Sequence, residues 1–549
     1  MAHRVSVRER LWRGLGVLAV SALIAGPLAG QTLTSSNLPI VLIETDEPIP
    51  DEPKVPGRMR VIDNGGGRRN AVTDPPTGYD GHIGIEVRGA TSQLFPKKQY
   101  ALETRDADGE NRNVPLLGMP SENDWILHAP YTDKTLVRNA VAYRLVRRMG
   151  RYASRTRFCE VIVNGEYQGV YLLLEKIKRD GDRVDIATLN PDETSGDDLT
   201  GGYIVKVDKA AGGEVGGWDS PLPPPYPFGR RVRWEYHEPS PEEIAPEQAA
   251  YIERTITAFE QAVATENYDD PARGFLPLVD LGSFVDVVIL NEVTKNIDGY
   301  RASTYLHKDK DSVDGRLKAG PVWDFNLALG NASFGGGADH RGFQFDWDDR
   351  ADGIPIPFWW ARMARSEPFQ AAMKTRWTEL RAGPLAPDSL DALVDETVGE
   401  IAEASARNFE RWPTVGKPVW GNAYVGETYA EDVRYLKAFT RRRAAWMDGA
   451  LARGLGAPGP GPAVVLSRPW PSPASGDAQV TLTTGSADRI RLDLVDAQGR
   501  LVRTVFEGPV DGGTRTVTVQ TAGLATGTYF LVASGALGTF SRPLVVVRR

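Results

Sequence analysis

The sequence predicts an α+β protein of several parts: a two-lobed domain with a cleft between its lobes, then a small all-β immunoglobulin-like sandwich. Three observations predict it. At 549 residues the chain is too long for one ordinary domain. Short strand-like runs dominate from about residue 81 to 216, and apolar residues at helical spacing dominate from there to about 455. Beyond a Gly/Pro-rich break, apolar and polar residues alternate to the C-terminus.

The chain opens MAHRVSVRERLWRGLGVLAVSALIAGPLAGQ. Arg4, Arg8, Arg10 and Arg13 precede a short apolar run, Pro27 breaks it, and Ala29 and Gly30 offer a small-residue cleavage site. This layout predicts a signal peptide over residues 1–30 and no stable membrane span after its removal. Residues 31–80 read as an extended lead-in. The single cysteine, Cys159, excludes an internal disulfide and reads as a small buried residue in a strand. Six scattered histidines offer no zinc spacing, and a net charge of -8 gives no reason to expect nucleic-acid binding.

Within residues 81–455, the runs GIEVRG, QYALETR, CEVIVNG, GVYLLLEKI and GGYIVKVD read as strands. Between them, TDKTLVRNAVAYRLVRRMG places Leu136, Ala140, Tyr143 and Val146 at helical spacing. SPEEIAPEQAAYIERTITAFEQAV reads as a helix starting at Ser240 and Pro241. Residues 456–470 form a Pro/Gly linker, and 471–549 the sandwich, its strands separated by Gly-containing turns.

Five stretches place polar residues in otherwise apolar elements. EVRGATSQLFPKKQYALETR gives a strand, a turn from Arg88 through Gly89 to Ser92, and a second strand with Lys97 and Lys98. Free backbone N–H groups beside lysines suit phosphates, although such hairpins are often solvated edges. VNGEYQGVYLLLEKI is a hairpin whose buried strand ends in Glu175. NEVTKNIDGYRASTYLH places Asp298 in a loop between a buried helix and a strand, where a carboxylate can accept a hydroxyl proton. VWDFNLALG then presents Asp324, one strand pair further on. A loop Asp followed by a metal Asp is the division of labour of phosphoryl transfer. Finally, LLGMPSENDWILHAPYTDKTLVRNAV holds Asp133, a candidate helix cap, and Arg138, a candidate buried ion-pair partner.

Read in order, VRGATSQLFPKKQYALE, LLGMPSENDWILHAPYTDKTLVRN, VIVNGEYQGVYLLLEKI, NEVTKNIDGYRASTYL and VWDFNLALG resemble the spore coat protein H (CotH) kinase family. The resemblance implies an atypical protein-kinase-like fold that uses ATP and a divalent metal, Mg²⁺ or Mn²⁺, to phosphorylate proteins on serine. It makes Asp298 the catalytic aspartate and Asp324 the metal aspartate. Lys98, with Lys97 as the alternative, becomes the phosphate lysine. The turn from Arg88 to Ser92 would cover the phosphates, and Glu175 would sit near the adenine. The helix over 134–149 holds no acidic partner for the lysine, which leaves Glu103. Two positions depart from the pattern. Asn326 stands where the family commonly has Asp, and Ser303 stands where kinase loops carry a metal-binding Asn. Both are poorer than a carboxylate at neutralising Mg²⁺.

The C-terminal pieces RPWPSPASGDAQVTL, LDLVDAQGRLVRTV and GLATGTYFLVAS resemble a type IX secretion C-terminal sorting domain. That implies handling by the type IX machinery and a secreted or cell-surface protein of a diderm bacterium. The leading expectation is therefore an exported serine kinase of surface or secreted proteins, itself included. A non-catalytic surface adhesin or coat-assembly protein is the alternative. A third reading, a sugar groove, draws on the aromatic runs around Trp359 and Trp412.

Overall fold

The computed structural model describes residues 33–208, 216–222, 231–347, 354–456, 465–467, 469–484, 488–496, 500–510, 513–535 and 538–548. The expected signal peptide and most of the expected linker lie outside them.

Among the described residues, seven strands close into a barrel: β1 (Ile40–Glu44), β2 (Val55–Ile62), β3 (Tyr79–Arg88), β4 (Gln99–Arg105), β5 (Asp124–His128), β6 (Thr156–Val163) and β7 (Glu166–Glu175). Around the barrel the order is β6-β7-β5-β4-β3-β2-β1, and a parallel pairing of Ile40 with Glu160 closes it. Two barrel strands thus come from the stretch read as a lead-in. The apolar run of β7 is buried on both faces, which explains its lack of alternation. Tyr171 and Leu173 pack with Cys159, Leu102 and Trp125. Leu172 and Leu174 join the helical core instead. Cys159 is fully buried, and burial pushes its thiol up to about 12.

Helix α1 (Arg138–Arg148) follows β5. Asp133 fixes its start by accepting the backbone N–H of Arg138 at 2.8 Å, and it ion-pairs the Arg138 guanidinium. A second, antiparallel sheet carries β8 (Tyr203–Val207), β9 (Gly217–Asp219) and β10 (Arg233–Glu238). Helices α2 (Pro246–Ala264) and α3 (Leu281–Thr294) come next, before β11 (Thr304–Lys308) and β12 (Lys318–Val322) complete that sheet in the order β9-β10-β8-β11-β12. Helix α2 starts at Pro246 and not at Ser240, because Gln248 reaches back to the Ala245 N–H at 3.0 Å.

Helix α3 is apolar nearly all round and buried from Ser283 to Thr294, as a central helix must be. It packs against β12 and two later helices, α5 and α8. The later helices are α4 (Phe358–Ala364), α5 (Glu367–Arg381), α6 (Pro387–Glu400), α7 (Ala402–Arg411) and α8 (Tyr429–Arg453). Trp359 and Trp360 are fully buried, with Trp359 stacked on Trp234 at 6.3 Å, so the first aromatic run builds core and not a sugar groove.

Beyond residue 465, two antiparallel sheets enclose an apolar cluster that includes Val480, Leu492, Leu531 and Leu544. One holds Val465–Leu466, Ala478–Thr484 and Gly513–Val519; the other holds Leu501–Val510, Asp488–Val495, Gly527–Gly535 and Gly538–Val546. Among the described residues no helix is long and apolar enough to cross a membrane.

Candidate active site

A cleft of about 1820 Å³ runs between the barrel and the second sheet. Its barrel side is the turn after β3. There Gly89 adopts φ 97°, and a Cβ on it would lie 2.0 Å from the Ser92 Oγ, so only glycine closes this turn without displacing Ser92. On the opposite side stand the loop from Lys295 to Ser303, between α3 and β11, and the segment Trp323–Leu327 after β12.

The structure brings Arg88, Gly89, Ser92, Lys97, Asp298, Ser303, Asp324 and Asn326 to the lining of this one cleft. Asn296 ties its two acidic loops together. Its Oδ1 accepts the Asp298 N–H at 3.3 Å, and its Nδ2 donates to the Asp324 carbonyl at 3.1 Å. Asp298 is buried, with the Arg301 guanidinium 3.7 Å from its Oδ1. Asp324 and Ser303 both hold left-handed backbone, φ 59° and 50°. Each such position costs about 1–3 kcal/mol and persists only where the surroundings impose it.

What imposes it at Asp324 is helix α1. Asn139 and Tyr143, one turn apart on one face, take consecutive backbone N–H groups of the second loop. Tyr143 Oη accepts from Asp324 at 3.2 Å, and Asn139 Oδ1 accepts from Phe325 at 2.6 Å. Phe325 is fully buried, with its ring edge-on to Tyr143 at 5.8 Å. The Asn139 amide then has only its NH₂ left to give, and it meets His128 Nε2 at 3.0 Å. Burial and the Arg88 charge push His128 down to about 3, so the ring is neutral. Nε2 must therefore accept, which leaves the proton on Nδ1, 3.0 Å from Gln99 Oε1. A chain of defined donors runs from β4 through β5 and α1 to the Asp324 loop. Arg88 faces the same loop: burial lowers its pKa, and the first opposing influence is the Asp324 charge.

The expectations for the lysine pair and for Glu175 and Glu103 come out differently. Lys98 does not line the cleft; its ammonium donates to the Gln93 carbonyl at 2.6 Å. Lys97 borders the cleft, but its ammonium is buried and donates to the Val170 carbonyl at 2.5 Å and to Asn408 Oδ1 at 2.8 Å. Glu175 is fully buried behind the cleft, held by Arg155 at 2.9 Å and Arg183 at 3.4 Å. Strand alternation is the reason: Leu174 and Lys176 line the cleft, so Glu175 between them faces away. Glu103 pairs with Lys54 at 2.6 Å and Arg105 at 2.9 Å, not with Lys97 or Lys98.

Burial pushes Lys97 down to about 7 from its ordinary 10.5. Between those values the unfolded chain binds more protons than the folded one, so stability rises with pH across the window. Urea denaturation at several pH values, wild type against Lys97→Met, is expected to show a stability difference that moves in favour of the wild type from pH 7 to 10.

Sequence reasoning picked out Asn139 without giving it a role, read Tyr143 only as an apolar helix position, and missed His128 and Asp208. Asp208 follows β8 as Glu175 ends β7, so the same signal, a carboxylate closing an apolar strand, was there to find it. For a divalent cation the cleft offers oxygen donors, as Mg²⁺ and Mn²⁺ require. Among the described residues no three His, Cys, Asp or Glu side chains gather to hold a metal alone. The donor set fits a cation that takes one or two carboxylates from protein and the rest from phosphates.

Residues 85–447 match the family model described as CotH kinase protein, and the chain belongs to that family. Residues 469–547 match the secretion system C-terminal sorting domain, which marks the chain for type IX export to the cell surface or medium of a diderm bacterium. No curated protein matches. Among solved structures, the Helicobacter pylori proinflammatory kinase CtkA aligns at 10% identity over 60% of this chain and 90% of its own, with a TM-score of 0.27. A C. elegans twitchin kinase fragment aligns at 10% identity over 82% and 90%, with a TM-score of 0.15.

Proposed function

We propose that the protein is an exported protein kinase that transfers the γ-phosphoryl group of ATP to serine hydroxyls of surface or secreted proteins. The observation that supports it most is the tethering of Asp298 and Asp324 through Asn296 on one cleft wall, opposite Arg88. In this reading Asp298 takes the proton of the serine hydroxyl as its oxygen bonds to phosphorus and the bond to the leaving diphosphate breaks. Asp324, with Asn326 and Ser303, would hold the divalent cation, which supplies charge neutralisation on the phosphates. Backbone N–H groups of the Gly89–Ser92 turn and the Arg88 guanidinium would steady the phosphates. Leu174 and Ile177 offer apolar walls for the base.

In this reading Arg88, not Lys98, is the cation that answers Asp324, supported by the influence of the Asp324 charge on Arg88. With labelled ATP and a serine-rich bait protein, Arg88→Ala is expected to lose at least tenfold in transfer, and Lys98→Ala less than twofold. The reverse ranking would restore Lys98 to the role. Label transfer by the wild type is itself the test of the reading. The adhesin alternative rests on the thin donor set at Asn326 and Ser303, and it becomes the better reading if neither label transfer nor an ATP-induced melting shift is found.

A further inference from the structure

Three strands of the second sheet end at one edge of the cleft. Thr304 pairs with Val207 on β8 and with Val322 on β12. Asp208, Ser303 and the Trp323–Asp324 pair therefore leave the sheet side by side, on strands about 4.8 Å apart. Asp208 Oδ1 accepts the Ser303 N–H at 3.2 Å, and Asp208 lines the cleft with Ser303 and Asp324. Ser303 is where the sequence lacks a good metal donor, and its neighbour across the sheet is an anionic oxygen.

A second observation points to a ligand there. Glu235, 1% exposed, lines the same cleft. Its Oε2 lies 3.0 Å from the Lys206 ammonium, which is also 3.3 Å from Asp208 Oδ2. Among the described residues its Oε1 has no hydrogen-bond partner. A buried acceptor of this kind calls for a donor or a cation. Lys206 joins the two carboxylates, and the Glu235 Oε1 is the acceptor left over at the cleft wall.

We infer that Asp208 is a further ligand of the nucleotide-associated divalent cation, supplying the charged oxygen that Ser303 lacks, with Lys206 and Glu235 positioning it. The inference rests on the nucleotide–metal reading above. It explains how an oxygen set with Asn326 and Ser303 still neutralises a phosphate-bound cation: the missing charge arrives from β8.

The test uses the mature full-length chain, a non-hydrolysable ATP analogue and Mn²⁺, with bound Mn²⁺ counted by electron paramagnetic resonance. Asp208→Asn keeps an acceptor for the Ser303 N–H and removes only charge. It is expected to weaken Mn²⁺ at least tenfold while the unliganded melting temperature holds. Asp208→Cys is expected to exchange the Mn²⁺ preference for Cd²⁺, since thiolates select soft cations and the native Cys159 is buried. If Asp208→Asn binds Mn²⁺ like the wild type while Asp324→Asn does not, the inference is overturned and the nucleotide–metal reading stands. If the wild type itself binds no Mn²⁺ with the nucleotide, both fall. Should Asp208→Asn fold poorly, the Cd²⁺ titration of Asp208→Cys decides: tightening supports the inference, and no response overturns it.

Discussion

Asp298→Asn is expected to slow label transfer about 10²–10⁴-fold, the range a positioned base contributes, while the ATP-induced melting shift survives. The separation of the two effects follows from the geometry. Asp298 sits on the loop before β11, and its backbone, not its side chain, bonds Asn296. An isosteric amide should leave the tether to Asp324 intact while it removes the proton acceptor and the charge facing Arg301. Asp324→Asn is expected to fail differently, losing transfer to a similar degree together with the metal-dependent part of the melting shift. Calorimetric nucleotide titrations with and without Mg²⁺ distinguish the two. Equal loss of nucleotide binding in both variants would mean that the carboxylates act as one electrostatic unit and that no base has been isolated.

The second large effect concerns stability. Glu292 and Arg443 are both fully buried, with Arg443 Nη2 2.7 Å from Glu292 Oε2. Glu292 also accepts the Tyr300 hydroxyl at 2.9 Å and the Phe345 N–H at 3.1 Å. Arg443 donates to the carbonyls of His340 at 2.9 Å and Gly342 at 2.7 Å. Burial pushes the guanidinium down to about 10, yet it stays charged at neutral pH. Glu292→Ala strands that charge without its partner and is expected to cost about 3–5 kcal/mol, read as a fall in the urea midpoint. The double variant Glu292→Ala with Arg443→Met should recover part of the loss, because an apolar pair leaves no buried charge behind. Since Glu292 lies three residues before Lys295, where the Asp298 loop begins, the single variant should also lower transfer. A double variant no better than the single one would locate the cost in the Glu292 hydrogen bonds and not in the charge.

The parts of the site that were legible in the sequence are those written contiguously. Asp298 and Asp324 close buried elements, and a carboxylate delivered by an apolar run is visible without a fold. The turn at Gly89 was legible for the same local reason. Glu175 was not, because β7 is buried on both faces and its unbroken apolar run carries no parity to say which side faces the cleft. The adjacent lysines posed the same problem: Lys97 borders the cleft and Lys98 does not line it. Asn139 and Tyr143 were hidden differently. On a helix they read as one polar and one apolar position, and their shared task appears only when a loop 180 residues later arrives against that face. The closure of the barrel was equally hidden, since nothing local in residues 40–44 names residues 156–163 as a partner.

That closure also sets an order of events. Each hairpin of the barrel joins segments near one another in the chain, but the seam joins Ile40 to Glu160. Contacts so distant in sequence are slow to form, because the intervening chain must be ordered first. In a chain delivered N-terminus first, β1 can pair with β2 on one edge, but its other edge stays open until β6 has followed it out. The barrel therefore stays unsealed until about the first 160 residues of the chain have appeared.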